Sequence, residues 1–318
     1  MAVVCTGSIA YDYLMTFPGY FRDHILPDRL DTISLSFLVD SMVRQRGGTA
    51  PNICFTMALL GERTLLMGTV GEDFEDYRVW LESKGVDTAN ARVVPGKYTA
   101  SFFANTDLAN NQISSFYTGA MANASELTVR SIGDRPDLVV ISPNDPAAMD
   151  AYVCECKDLR IPYLYDPSQQ IVRVKAEELA RGVDGAQSVF VNEYEFDLLQ
   201  KHTGLKAADI LKLVEYLVVT CGERGAEIFV GDQKYSIPAI PPDQIADPTG
   251  VGDAFRGGFL RGIRLGLGFQ IAGEIGALAA TYCLEQRGTQ NHCYTRHEFV
   301  ERFRRHFDDQ GALDALLK

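Results

Sequence analysis

The sequence predicts an α/β protein: a mostly parallel sheet covered by helices on both sides, with a small second sheet inserted into it. Two observations carry this. Short, uniformly apolar runs recur at Val3–Thr6, Leu138–Ile141, Tyr163–Tyr165 and 188–191, and amphipathic, helix-like stretches separate them. Strands buried on both faces read as unbroken apolar runs, and parallel neighbours need a long, usually helical, crossover. The regions 12–47 and 97–117 depart from this pattern. They are half polar and fit a sheet with one wet or ligand-facing side, expected to act as a lid.

In chain order, Val3–Thr6 is a buried first strand ending at Gly7 and Ser8. Asp12 follows, then a stretch rich in aromatic residues and prolines to about Pro27. Residues 33–39 alternate hydrophobics against Thr32, Ser34 and Ser36 and predict a half-exposed strand. Gly47-Gly48 ends that region. Residues 49–60 predict a helix stopped by Gly61, and Pro51 is tolerated because the first helical turn has no N–H bonds to lose. Thr64–Val70 reads as strand, and 73–84 as helix with Asp73 as cap and Gly85 as stop. Residues 99–104 and Gln112–Tyr117 form a second half-polar strand pair, joined by the turn-rich 105–111. Helices over 145–159, 174–181, from Glu193, and over 207–217 alternate with the remaining strands, the last at 217–220. No repeat, low-complexity tract or linker interrupts 1–318, so one domain is expected.

The run DPTGVGDAFRGGFL (247–260) leads from glycine and proline breakers straight into a helix. Backbone N–H groups converging at a helix N-terminus form an anion site, and Gly250 and Gly252 let a charged group approach the backbone. Asp253 beside such a site suits proton abstraction from a hydroxyl during phosphoryl transfer; it equally suits a helix N-cap.

Composition narrows the field. With a net charge of −12, a nucleic-acid groove is not expected. The seven cysteines have neither disulfide nor zinc spacing and read as reduced, mostly buried thiols of a cytoplasmic protein. His292, Cys293 and His297 lack a second cluster and read as surface residues. The N-terminus has no basic region before its apolar residues, so a signal peptide is not expected. The apolar run at 271–284 contains Glu274 and is too short to span a membrane.

At this point the chain resembles the PfkB/ribokinase family of sugar and nucleoside kinases. DPTGVGD matches the family's D-T-x-G-A-G-D signature, with Pro248 and Val251 as departures. Asn192-Glu193-Tyr194-Glu195 matches N-x-x-E, Gly47-Gly48 with Asn52 matches the first signature region, and the run from Thr220 to Gly225 matches T-x-G-x-x-G. Segments 6–19, 34–40, 114–121, 144–149 and 166–170 look like the adenosine kinases of actinobacteria, with Pro51 and Cys221 as departures.

The resemblance implies a ribokinase-like three-layer α/β/α fold and an ATP- and magnesium-dependent adenosine kinase, forming a homodimer through the lid sheet. It implies Asp253 as the base toward a 5′-hydroxyl, with Gly250, Val251 and Gly252 as N–H donors to the transferring phosphoryl group. Asn192 and Glu195 would orient magnesium through water; Glu195 also fits a solvated first-turn glutamate. Asp12, Gly48 and Asn52 would hold the ribose, although Asp12 also fits a turn. Ser8, Ser36, Phe102, Phe116, Gln169 and Gln170 would meet the purine, although the two phenylalanines also fit a lid core. Thr220, Gly222 and Gly225 would border ATP, and Asp247 and Thr249 a potassium ion. A kinase for ribose, fructose or another nucleoside stays open, as does a nucleoside-binding sensor. A dinucleotide dehydrogenase does not, since no G-x-G-x-x-G follows the first strand.

Overall fold

Successive side chains of a strand point to opposite faces, so each buried strand feeds two cores. In β1 (Val3–Thr6), Val3 and Cys5 pack on one side with Leu66 and Val70 of β4 (Thr64–Val70), while Val4 packs on the other with Met67. The first core is closed by α1 (Thr49–Leu59), α2 (Glu75–Ser83), α7 (Val251–Arg264) and α8 (Gly268–Leu284). The second is closed by α3 (Pro146–Leu159), α4 (Ala176–Val183), α5 (Glu193–Thr203) and α6 (Ala207–Leu213). The result is a three-layer α/β/α arrangement, and α9 (Arg296–Phe303) packs behind α8. The computed structural model describes residues 2–26, 31, 32 and 34–318.

The remaining strands are β2 (Ala10–Thr16), β3 (Ser41–Gly47), β5 (Val86–Val93), β6 (Ala100–Thr106), β7 (Gln112–Tyr117), β8 (Leu138–Ile141), β9 (Tyr163–Tyr165), β10 (Ser188–Asn192), β11 (Tyr216–Thr220), β12 (Ala226–Val230) and β13 (Gln233–Ile237). The large sheet has nine strands in the order β13-β12-β11-β10-β9-β8-β1-β4-β5. It is parallel from β5 to β11, and β12 and β13 add antiparallel at the edge. A second sheet of four strands runs β3-β2-β6-β7, with β2 and β6 parallel and the outer pairs antiparallel. Among the described residues no helix is long and apolar enough to cross a membrane.

The expected strand over 33–39 is not there. Ile33 lies outside the described residues, 34–39 have no regular structure, and the strand starts at Ser41. The cause is the partner: β2 stops at Thr16, before Pro18 and Gly19, so nothing extended lies opposite 34–39. The apolar alternation serves a cluster instead, with Phe37 edge-on to Phe17 at 5.0 Å and to Phe21 at 4.9 Å. Asp73 does not cap α2 either. Its Oδ1 accepts from the Thr99 N–H at 2.8 Å and the Thr99 hydroxyl at 2.7 Å, pinning the approach to β6.

Helices α7 and α8 pack against each other through facing glycines, Gly258 and Gly276. A Cβ on Gly258 would come within 2.8 Å of the Ile275 carbonyl oxygen and 2.9 Å of Ala279 Cβ. Gly258→Val is therefore expected to cost roughly 1–3 kcal/mol, since a packed core cannot take added methyl groups without strain. The urea midpoint measures it, and an unchanged midpoint would mean that the helices separate freely.

Candidate active site

In an open parallel sheet the carboxyl ends of the strands converge on one edge, and ligands sit there. Here that edge meets the small sheet in a cleft of about 690 Å³. Ser8 lines it from beyond β1, Asp166 from beyond β9, and Asn192 and Thr220 from the ends of β10 and β11. The small sheet contributes Asp12, Phe102 and Phe116. Helix starts contribute Gly48, Asn52, Glu195, Gly250, Gly252 and Asp253; Gln169, Gln170 and Thr249 also line it, together with Arg256 and Thr289. Ser36 is exposed and not among the lining residues, nor are Val251, Asp247, Gly222 and Gly225. The two last glycines shape the turn after Thr220, both at positive φ.

Gly250 holds the N-cap position of α7 at φ 78°, where a Cβ would sit 2.8 Å from Thr289. Only glycine combines that dihedral with that proximity. The first-turn N–H groups that follow have no partner within the helix; the Val251 N–H makes a long 3.4 Å contact with the Pro248 carbonyl. Asp253 lies in this turn but does not cap it. Its Oδ2 instead accepts from Asn52 Nδ2 of α1 at 2.8 Å.

Burial pushes the Asp253 carboxyl up to about 7; Arg256 and the Asn52 hydrogen bond pull it down, and Asp166 and Glu195 push it further up. Arg256, one turn along the same helix, is buried. Its guanidinium meets Asp166 at 2.6 and 2.9 Å, and Nη1 donates to the Gly252 carbonyl at 3.0 Å. It is thus the cation set among these carboxylates.

Asn192 and Glu195 form a reciprocal capping box on α5. Asn192 Oδ1 accepts the Glu195 N–H, and Glu195 Oε2 accepts the Asn192 N–H, both at 2.8 Å. Glu195 Oε1 accepts from the Ser168 hydroxyl at 2.9 Å. Glu195 is therefore a buried, oriented carboxylate rather than a solvated one. Among the described residues no set of His, Cys, Asp and Glu is grouped to hold a metal ion unaided. The Asp247 oxygens accept the Thr249 N–H at 2.9 Å and the Gly288 N–H at 3.0 Å, tying the loop to the segment after α8.

Phe102 and Phe116 are direct cross-strand partners, which puts both rings on one face of the small sheet. Asp12 faces Gln45 across β3 and Phe102 across β6; burial, then the Asp247 charge, push its carboxyl up to about 6. Ser8 Oγ accepts the Thr49 N–H at 3.2 Å, so it also anchors the start of α1. Reading motifs missed Arg256, although its place three residues after Asp253 puts both on one helix face. It also missed Thr289 and Gln290, which back Asn52 from far along the chain. His292 is not a surface residue as expected: it is buried edge-on against Phe55 at 5.1 Å, while Cys293 and His297 are exposed.

The Asp253 shift has a sign for stability. A carboxyl raised from 3.8 to about 7 binds its proton more tightly in the folded protein, so ionising it weakens the fold as pH climbs through that interval. Asp253→Asn is therefore expected to raise the melting temperature at about pH 8, by roughly 2–4 °C per kcal/mol recovered. The gain should shrink toward pH 5. A variant less stable than the native chain at pH 8 would contradict the shift.

Known proteins share this architecture. Residues 8–296 match the family described as pfkB family carbohydrate kinase. The nucleoside kinase of Burkholderia thailandensis, solved in complex with inosine, is 36% identical with a TM-score of 0.86, covering 96% of this chain and 98% of that one. Its complex with ADP-inosine gives 37% and 0.84, covering 96% of each chain. The Methanocaldococcus jannaschii nucleoside kinase structure gives 27% and 0.87, covering 96% of this chain and 98% of that one. With the family match running from the end of the first strand into the last helix, the chain belongs to the pfkB family of carbohydrate kinases.

Proposed function

We propose that the chain is an ATP-dependent nucleoside kinase acting on the 5′-hydroxyl of a purine nucleoside, converting adenosine and ATP to AMP and ADP. The reading is carried by one coincidence in the cleft: a carboxylate poised near neutrality at a helix N-terminus, and a pair of aromatic rings on the facing sheet. A bare sugar has no need of the rings. A sensor has no need of the carboxylate. The full-length likeness to a nucleoside kinase that binds inosine supports the same acceptor class.

In this reading Asp253 takes the hydroxyl proton as the oxygen attacks the terminal phosphorus, and the bond to ADP breaks. The N–H groups at the start of α7 stabilise charge on the transferring group. Asp12 accepts hydrogen bonds from the ribose diol, with Gly48 and Asn52 beside it. Phe102 and Phe116 stack on the base. Gln169 and Gln170 offer amide groups to the base edge, with Ser8 on the same side. Thr220 borders ATP, with Gly222 and Gly225 shaping the turn behind it.

Glu195 and Asn192 suit a magnesium ion held through water, because their side chains are already oriented and add one charge, not a full ligand set. Bound there, magnesium would neutralise phosphate charge. Asp247 and Thr249 would border a potassium ion in this loop, with Asp247 also accepting the Thr249 and Gly288 N–H groups. The small sheet acts as the lid, excluding water, and exposed Leu38, Met42, Val43 and Ile113 support pairing with a second copy of the chain.

Asp253→Asn should bind nucleoside yet lose roughly 10²–10⁴-fold in kcat. In the native enzyme kcat should rise with pH through about 7, because the base acts only when ionised. Turnover close to native in the variant removes the assignment. Phe116→Ala should weaken adenosine binding by about 1–3 kcal/mol, the value of a stacked base, and leave ribose binding nearly unchanged. Titrations of adenosine, inosine, cytidine and ribose, followed by phosphorylation assays with ATP, test the acceptor. Equal losses for adenosine and ribose would make Phe116 a packing residue.

A further inference from the structure

Asp253 takes its hydrogen bond from Asn52, yet the two ends of an asparagine amide have nearly the same shape, and only one of them donates. An ionised carboxylate favours the donating end, a protonated one can also donate, and what fixes the amide in both states lies behind it. Asn52 Oδ1 accepts from Gln290 Nε2 at 2.9 Å and from Thr289 Oγ1 at 2.7 Å. Thr289 cannot decide the matter. Its single proton has a second acceptor, the Arg46 carbonyl at 2.9 Å, and its oxygen would accept from a reversed amide just as well.

Gln290 can decide it. Its Nε2 also donates to the Tyr77 hydroxyl, and Tyr77 has one proton, which goes to the Gly47 carbonyl at 3.0 Å. A carbonyl oxygen only accepts, so Tyr77 donates there and is left with a lone pair for Gln290. Burial holds the Tyr77 phenol well above its ordinary range, keeping that proton in place. Gln290 must then turn its NH₂ inward, and the second N–H reaches Asn52 Oδ1. The cost is visible: Gln290 Oε1 is buried with no partner. Tyr77, Asn52 and Gln290 are 0%, 4% and 2% exposed, so bulk water does not re-pair a reversed amide.

We propose that Tyr77 and Gln290 are positioning residues: by a fixed sequence of donors and acceptors starting at the Gly47 carbonyl, they hold the NH₂ of Asn52 toward Asp253. This rests on the reading of Asp253 as the base. Without them Asn52 Oδ1 keeps only Thr289 as a donor, and the amide that donates to Asp253 at 2.8 Å loses the partner that fixes it from behind. The Asn52 hydrogen bond favours the ionised form of Asp253, so loosening it raises the proton affinity of the carboxylate and frees its orientation. The charged and titratable groups around Asp253 are Arg256 on its own helix, Asp166 beyond β9, Glu195 on α5 and the Cys283 thiol on α8. Those around Tyr77 are Asp12, Tyr11 and Arg46. The variants below leave all of them in place.

The test uses Tyr77→Phe and Gln290→Met, which keep side-chain volume, in the full-length enzyme with saturating ATP and nucleoside. For both, the acidic limb of kcat should move up by about one pH unit, with kcat restored in alkaline buffer. In an Asn52→Ala background, adding Gln290→Met should move the limb no further, because the amide it orients is gone. Melting curves confirm folding, and if one variant does not fold the other carries the test. An unmoved limb in a folded variant overturns the proposal, as does a limb that still shifts in the Asn52→Ala background. Retained turnover in Asp253→Asn overturns the base assignment instead, so the two failures are distinguishable.

Discussion

The buried ion pair between Arg256 and Asp166 is the interaction on which the cleft depends. Asp253, Asp166 and Glu195 influence one another electrostatically where water is scarce, and like charges in such a place drive one another toward protonation. A guanidinium reaching Asp166 at 2.6 and 2.9 Å, and the Gly252 carbonyl at 3.0 Å, offsets that repulsion while holding the first turn of α7 against the end of β9. Arginine suits the task because its planar fork serves a carboxylate and a carbonyl at once and never loses its charge. Removing Asp166 alone would leave a buried cation without its partner, a change far costlier than the pair is stabilising.

The two sheets divide the labour. The large sheet and its helices supply groups whose positions follow from backbone geometry: N–H groups at the start of α7, the capping box of α5, and polar residues at strand ends. Rigid elements hold such groups well, which is why phosphoryl-transfer parts belong there. The small sheet supplies Asp12, Phe102 and Phe116 from strands paired mostly with one another. Its cleft residues are thus placed independently of the helix starts and strand ends below.

Much of this was legible in the sequence because it is local. Val3–Thr6, Thr64–Val70, Leu138–Ile141 and Tyr163–Tyr165 announce themselves as apolar runs, and their observed bounds agree. Strand β2 did not: in AYDYLMT Tyr11, Tyr13 and Met15 share one face while Ala10 and Leu14 put apolar groups on the other, which blurs any alternation. Residues 34–39 misled for the opposite reason, alternating to feed an aromatic cluster and not a ladder. Glu195 was found by its motif, but its engagement on both oxygens depends on Ser168, which no spacing ties to it. Arg256 stood within the recognised run, unread because its partner Asp166 lies 90 residues away.

The segment after α8 shows why such long-range partners matter. It makes no motif, yet the Gly288 N–H closes the Asp247 loop, Thr289 packs where any side chain on Gly250 would fall, and Gln290 joins Tyr77 to Asn52. The start of α7 is thereby held from behind by chain that is added only after both of its own helices. A helix N-terminus alone would bind an anion, since its unpaired N–H groups attract one. Holding the Asp253 carboxylate in one orientation takes neighbours whose own donors and acceptors favour one arrangement, and those come from α1, α2 and this segment together. The site is therefore a property of the completed fold, not of the DPTGVGD run that marks it.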